Sequence, residues 1–287
     1  MPSLQYRLFS KIISLLPNKI KLNILFFRRF KRFINFSQPE TFNEKLQVRK
    51  IIDHNPLFTV AADKIASKDW VKSICSDIYI PRNLWIGSDT NDIESIDFSL
   101  LPRDYVFKAN HTSQTIEIIR NNNHISQRKM IKLASKWLKH DQSSSLGEWA
   151  YKDIPRRVFI EEFLDFEGSA PDDYKFFVFN GRVEFIQLDS DRFINHKRNM
   201  FDRNWRDLNF EYSHEMKIPS PPKPIFLDEM IRISELIGEN FDFVRVDLYF
   251  YNNKVTFGEL TIYPGAGFEK FPCIELDKLF GKYWTSY

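Results

Sequence analysis

Cysteine is scarce: Cys75 and Cys273 stand far apart, and no C-x-x-C pair occurs. That excludes a disulfide framework and a cysteine zinc site, and makes a reducing cytoplasm the expected compartment. Long apolar runs are also missing, since none approaches the roughly 18 residues that a spanning helix needs. The N-terminus lacks the continuous apolar stretch and small-residue cleavage site of a secretory signal, so neither a membrane span nor export is expected. There is no internal repeat and no low-complexity tract. What is present is 287 residues, 43% hydrophobic, 28% charged and 16% aromatic. This suffices for one large domain or two modest ones and does not suit disorder, collagen or a coiled-coil rod.

Acid is absent from one region. Residues 1–39 hold eight basic side chains (Arg7, Lys11, Lys19, Lys21, Arg28, Arg29, Lys31, Arg32) and no Asp or Glu, which leaves 33 basic against 38 acidic residues in the remainder. The formal charge of +3 therefore conceals a basic head on a mildly acidic body, and a general nucleic-acid footprint is disfavoured. Leu4, Leu8, Ile12 and Leu15 recur at helical spacing, as do Leu22, Phe26, Phe30 and Phe33 beyond the Pro17-Asn18 break. The head reads as a basic amphipathic helical pair. It either attaches to an anionic membrane face or polymer, or packs on the body with its lysines in water.

Residues 40–103 read mostly as helices with loops, one of them opening at Asp63-Lys64 and running to about Ile74. A strand is expected over 105–110, a small polar loop over 111–115, a strand to about Ile119, a helix over 126–139 and a strand over 157–164. Asn180-Gly181 joins strands 173–179 and 182–188 as a hairpin, because Asn-Gly supplies the positive φ angles of a type I′ turn. In that register Lys175 shares a face with Ile186 and Leu188, where a charge without a phosphate partner would be costly. A polar stretch (189–210) and a Pro-rich linker (219–224) lead to a helix carrying Phe226, Met230, Ile233 and Ile237 on one side.

The last hairpin, within residues 241–267, turns pattern into chemistry. A two-residue Asn252-Asn253 turn would pair Asp247 with Gly258 and put Glu259 opposite Val246, mixing polar and apolar side chains on both faces. A three-residue loop over 252–254 places Arg245, Asp247, Glu259 and Thr261 on one face and Val244, Val246, Leu248, Phe250, Leu260 and Ile262 on the other. A one-residue slip flips every side chain, so the clean sorting favours the second register. Two carboxylates directly opposite repel unless a cation lies between them. Arg245 could serve, giving an ordinary charged face; a divalent ion held by oxygens alone would be Mg²⁺ or Mn²⁺, with phosphate oxygens completing its shell.

The order of these motifs resembles the ATP-grasp superfamily, and in detail its TupA-like branch, found in bacterial capsule, teichuronopeptide and O-antigen clusters. The resemblance covers roughly residues 39–287 and is carried by FNEKL at 42–46, Asp63-Lys64, LPRDYVFKANH at 101–111, DYKFFVFNG at 173–181, and VRVDLY with FGEL between 244 and 260. It implies an α+β ATP-grasp fold in which two α+β lobes clasp a nucleotide. The expected segments are the basic helical head (1–39), a mostly helical subdomain (40–103), a small lobe (104–165) and a C-terminal lobe with the metal-binding hairpin (166–287).

The resemblance further implies site residues. Lys108 would bind phosphate, and the loop of Asn110, His111, Thr112 and Ser113 would cover the β- and γ-phosphates, with Thr112 and Gln114 standing where glycines are usual. His111 could equally be a satisfied loop histidine. Glu161, Glu162 and Phe163 match the adenine hinge, Asp173 a ribose or nearby contact, and Lys175 a phosphate ligand. Arg192, Arg198 and Arg245 would neutralise the transferred phosphoryl group. Asp247, Glu259 and Thr261 would hold Mg²⁺, with Thr261 where many relatives have Asn. His196 and Lys197 read better as a basic surface loop.

The reaction implied is ATP-dependent carboxylate–amine ligation through an acyl phosphate, without a Ser-His-Asp or Cys-His nucleophile. The acid would be a uronic acid of a surface polysaccharide or its lipid-linked precursor, and the amine an amino acid. The basic head would bring the enzyme to the inner membrane face. Two other readings remain. Asp189-Ser190-Asp191 after an apolar strand could be the D-x-D of a metal-dependent glycosyltransferase, and the head alone could mark a non-catalytic assembly protein that binds anionic polymers.

Overall fold

The computed structural model describes residues 13, 15–121, 125–166, 171–192 and 194–287. Of Leu4, Leu8, Ile12 and Leu15, the apolar positions of the first expected helix, the first three lie outside the described residues, and Leu15 stands in a turn, 82% exposed, rather than on a buried helical stripe. The second forms as α1 (Asn18–Phe30). Then come α2 (Phe42–Ile52), α3 (Leu57–Ala62), α4 (Ala66–Ile74), β1 (Asn83–Gly87), α5 (Thr90–Glu94), β2 (Tyr105–Ala109), β3 (Ile116–Ile119), α6 (Gln127–Leu138), α7 (Gln142–Leu146) and β4 (Val158–Glu162). The C-terminal part holds β5 (Asp173–Phe179), β6 (Arg182–Ser190), β7 (Lys197–Asp202), α8 (Leu227–Gly238), β8 (Phe243–Tyr251), β9 (Lys254–Thr261) and α9 (Ile274–Lys282). Among the described residues, no helix is long and apolar enough to cross a membrane.

The strands form two antiparallel sheets, ordered β1-β4-β2-β3 and β7-β6-β5-β8-β9. The smaller sheet buries Tyr105, Phe107, Ala109, Val158 and Ile160 against Met130, Ala134 and Trp137 of α6. One face of the larger sheet is continuously apolar. Phe176, Val178, Ile186, Leu188, Val244, Val246, Leu248, Leu260 and Ile262 pack there against α8 and against Phe58, Ala61 and Val71 of α3 and α4. Its other face is divided. At one end Phe177, Phe179, Phe185 and Phe243 pack on Phe42, Phe280 and Trp284; at the other, Asp173, Lys175, Arg245 and Asp247 are buried as a charged array.

Two β-bulges set that array. Asn180 and Gly181 form the expected turn with φ of +47° and +76°. Beyond it the register shifts, pairing Val178 with Val183 but Phe177 with Phe185. Lys175 thus lies opposite Gln187, and Ile186 and Leu188 point into the apolar core. The expectation that Lys175 shares their face is corrected, because the extra residue at Glu184 reverses the parity.

The last hairpin also departs from expectation. Its turn has two residues, Asn252 and Asn253, at φ +49° and +58°, and pairs Tyr251 with Lys254. A shift at Gly258 then pairs Leu248 with Phe257 but Asp247 with Glu259 and Arg245 with Thr261. The expected face is present; the three-residue loop is not. A Cβ at Gly258 would meet the Asp247 carbonyl oxygen at 2.8 Å and Tyr249 Cε2 at 2.9 Å, so this bulge needs glycine.

Two strands were not anticipated. Both β1 and β7 are edge strands, interrupting segments read as helical and as polar. In the head, Leu22 and Phe26 are buried beside Ile34, with Ile51 and Phe268 packed against them, while Lys21 Nζ donates to the Ser144 carbonyl at 2.6 Å. The helix stops at Lys31 in a left-handed conformation (φ 61°). Phe33 therefore does not continue the buried stripe and is 63% exposed.

Candidate active site

Alternation on β5, β6 and β8, corrected by the bulge, brings Asp173, Lys175, Asp189, Arg245 and Asp247 to one face. Asp247 accepts from Arg245 Nε and Nη2, both at 2.7 Å, and from Lys175 Nζ at 2.9 Å. Lys175 also pairs with Asp173 and lies 3.9 Å from Asp189. Arg192 Nη1 donates to Asp173 at 2.5 Å, and Arg245 Nη2 donates to Thr261 Oγ1 at 3.0 Å. Arg198 grips Asp189 at 2.6 and 3.2 Å and reaches Glu269 at 3.2 Å.

Burial and pairing compete at each charge. For Asp247, burial pushes the carboxyl up, but Arg245 and Lys175 outweigh it and hold the group below its ordinary range. Asp189 is likewise held well down, Arg198 overcoming burial. Asp173 goes the other way. Burial, aided by Asp247, raises its carboxyl despite Lys175 and Arg192. Its Oδ1 is buried with no hydrogen-bond partner among the described residues. Lys175 is raised, since Asp173 and Asp247 more than offset its burial.

Glu259 stands opposite Asp247, its side chain 44% exposed and 3.7 Å from Lys64 Nζ. Asp247, Glu259 and Thr261 supply only hard oxygen donors on one face, the donor type that suits Mg²⁺. A carboxylate offers about four lone-pair positions, so Asp247 retains acceptor capacity beyond its three donors. The residues fit the ion in kind, although no cluster of three or more His, Cys, Asp or Glu suited to a metal occurs among the described residues. Arg245 and Lys175 also show that the face is neutralised without one.

A second array lies on the small sheet. Glu161 is held between Lys108, on the adjacent strand, and Lys68 of α4, whose Nζ is 2.6 Å away. Burial pushes Glu161 up, but Lys108 and Lys68 together bring it below its ordinary value. Glu162 accepts from the Tyr79 hydroxyl at 2.5 Å and from Arg82 N and Nε at 2.8 and 2.9 Å. Burial and Glu162 push the Tyr79 hydroxyl up to about 12. Phe163 lies under the Arg120 guanidinium, 4.3 Å from its ring centre.

The loop after β2 is braced from within. The Asn110 amide donates to Asp63 at 2.9 Å and to the Pro155 carbonyl at 3.0 Å, while its oxygen accepts from Arg157 N at 2.8 Å. His111 lies 3.1 Å from both Asn110 Oδ1 and the Trp137 carbonyl, and burial lowers it to about 4. Thr112 is buried against Thr115 and Ser113 is exposed. Gln114 takes φ +59°, a left-handed position that favours glycine. Lys64 Nζ donates to the Thr112 carbonyl at 2.9 Å while approaching Glu259, so it ties this loop to the acidic hairpin.

Sequence reasoning missed Lys68 and Lys64 as members of the site. Asp63-Lys64 was visible as a helix opening, but nothing local separates Lys68 from Lys72 four residues on, which is exposed. Asp189 and Asp191 do not form a joint carboxylate pair: Asp189 is buried on Arg198, and Asp191, at φ +54°, reaches Lys217 at 3.0 Å.

A family model described as TupA-like ATPgrasp matches residues 44–285. Among solved structures, the chain resembles D-alanine–D-alanine ligase from Helicobacter pylori (13% identity over 72% of this chain and 56% of that one, TM-score 0.42). It also resembles phosphoribosylamine–glycine ligase from Thermotoga maritima (16%, 77% and 55%, TM-score 0.45). A third is the ATP-grasp ligase PsnB complexed with a phosphomimetic variant of minimal precursor, Mg and ADP (12%, 80% and 61%, TM-score 0.42). The chain spans little more than half the length of these structures. The search of curated proteins found no significant match.

Proposed function

The chain belongs to the TupA-like ATP-grasp family, and from that premise we propose that it is an ATP-dependent ligase joining a carboxylate to an amine through an acyl phosphate. The observation that carries this reading is the buried Asp173–Lys175–Asp247–Arg245 array with Glu259 and Thr261 beside it. Buried ion pairs are weak evidence of stabilisation, because desolvating the charges offsets their attraction. Such an array is better accounted for as machinery for a charged substrate.

In the proposed reaction a carboxylate oxygen attacks the γ-phosphorus of ATP, the bond to the β–γ bridging oxygen breaks, and ADP departs. The amine nitrogen then attacks the acyl carbon, the bond from that carbon to the phosphate oxygen breaks, phosphate leaves with that oxygen, and the amine proton passes to solvent. Mg²⁺, held by Asp247 and Glu259 with Thr261 adjacent, would neutralise phosphate charge when bound. Lys175 and Arg245 keep Asp247 ionised for that task. Lys108 of β2 and Lys68 of α4 supply cations beside Glu161, and Arg192, with a side chain 40% exposed, would meet a transferring phosphoryl group. We assign the acid to a uronic acid of a bacterial surface polysaccharide or its lipid-linked precursor, and the amine to an amino acid, on the family resemblance.

The test is ADP release from Mg·ATP, screened over uronic acids paired with each amino acid. The expected result is turnover that needs both acceptors and is lost in Asp247→Asn; no ATP binding by the purified chain would refute the reading. The glycosyltransferase alternative is disfavoured because Asp189 and Asp191 are neutralised by separate cations. A thermal-shift panel of ATP, UDP-sugars and CMP-sugars separates the two.

A further inference from the structure

Helix α1 is apolar on two sides. Leu22 and Phe26, both fully buried, face the body. At roughly 100° per residue, Ile20, Ile24 and Phe27 form a second stripe on the opposite side. Ile20 is 51% exposed and Phe27 42% exposed. Phe33, just past the Lys31 cap, stacks on Phe27 with ring centres 4.7 Å apart. A helix docked on a globular body ordinarily turns polar residues to water, so paired aromatic rings left outside call for an apolar partner.

The segment that carries this patch has charge of one sign. Lys19, Arg28 and Lys31 are exposed on the same segment, and residues 1–39 contain no Asp or Glu. Lys21 donates to the Ser144 carbonyl, Arg29 to the Phe268 carbonyl and Arg32 to Glu44, and Lys19 Nζ lies 5.0 Å from the Phe36 ring centre; none of these contacts changes the excess of positive charge along the segment. A second copy of this chain would oppose cations to cations. A nucleic acid or an anionic glycan would match the positive charge but give Phe27, Phe33 and Ile20 no apolar phase. A bilayer with anionic headgroups satisfies both. We propose that the outer face of α1 docks on an anionic lipid bilayer, with Ile20, Phe27 and Phe33 at the headgroup–acyl boundary and Lys19, Arg28 and Lys31 among lipid phosphates.

This inference goes beyond the ligase reading and stands independently of it, because its test needs no nucleotide. The full chain is floated with phosphatidylcholine vesicles, with and without phosphatidylglycerol, and Phe27→Ser/Phe33→Ser and Lys19→Ser/Arg28→Ser/Lys31→Ser variants are compared. Thermal melting serves as a folding control, since none of these side chains is buried. The expected result is flotation that depends on phosphatidylglycerol and weakens with salt. It should be abolished by the phenylalanine pair and reduced on the order of 100-fold by the triple variant, from about fivefold per cation. No flotation, equal flotation on phosphatidylcholine alone, or variants that bind like the parent would overturn the proposal. So would a concentration-dependent dimer lost in Phe27→Ser/Phe33→Ser, which would assign the face to a second copy.

Discussion

Lys175→Met removes the cation between Asp173 and Asp247 while keeping a stem of similar length. At an effective dielectric of about 20, unit charges separated by the 2.9 Å of the Lys175–Asp247 pair attract by roughly 6 kcal/mol. Desolvation of the ammonium takes back several kcal/mol, so truncating one partner of such a buried pair should destabilise by about 3–5 kcal/mol. Much of that loss is repulsion between two carboxylates left facing each other. At about 2–4 °C per kcal/mol for a chain of this size, Tm should fall by roughly 10 °C.

The sign of the pH dependence follows from Asp173, whose carboxyl is already raised by burial and by Asp247. Its folded pKa lies above the unfolded one, so the fold takes up a proton more readily and the penalty of the charged form is relieved as pH falls. Without Lys175 this effect grows, and the gap between variant and parent should narrow from neutral pH towards about pH 5. Asp173→Asn placed in the same chain should recover more than half of the loss. Urea unfolding followed by tryptophan fluorescence reads all three. A Lys175→Met variant within about 0.5 kcal/mol of the parent, the range of an ordinary surface substitution, would refute the reasoning, as would a double variant no more stable than the single one.

Gly258→Val forces a Cβ against the Asp247 carbonyl oxygen and Tyr249, so it should cost about 1–3 kcal/mol and misplace Glu259, with Mg·ATP turnover falling far more than the melting temperature suggests. Glu259→Gln should raise the Mg²⁺ concentration for half-maximal ADP release by about 10–100-fold while leaving folding intact, since its side chain is half-exposed; an unchanged Mg²⁺ titration would remove Glu259 from the metal site. Burial holds His111 at about 4, so the unfolded chain binds its proton first and stability should be lost as pH falls from about 6.5 to 4, by up to about 3 kcal/mol. His111→Gln should flatten that part of the stability–pH curve, and identical slopes in urea unfolding would refute the assignment.

Local pattern was enough for much of the framework. Asn180-Gly181 announced its hairpin, helical spacing located α6 and α8, and the alternation of Arg245, Asp247, Glu259 and Thr261 with Val244, Val246, Leu260 and Ile262 sorted the two faces of the last hairpin. These features depend on turn chemistry and on period-two or period-3.6 burial, which neighbouring residues dictate. The edge strands β1 and β7 escaped notice because a strand paired on one side and short in length leaves little alternation to read.

Parity along a strand is local, but the place where an extra residue is absorbed is not. Only the packed sheet put the bulges at Glu184 and Gly258, and with them Lys175 among carboxylates rather than beside Ile186. Lys68 reaches Glu161 across 93 positions of sequence, and α1 turns Leu22 rather than Ile20 to the body, through choices that depend on which surfaces remain to be covered. The sequence by itself determined the Asn180-Gly181 turn, helices such as α6 and α8, and the supply of charges. The tertiary structure decided which charges meet and which apolar stripe stays outside, because desolvation and Coulomb attraction act on distances in space that chain spacing does not encode.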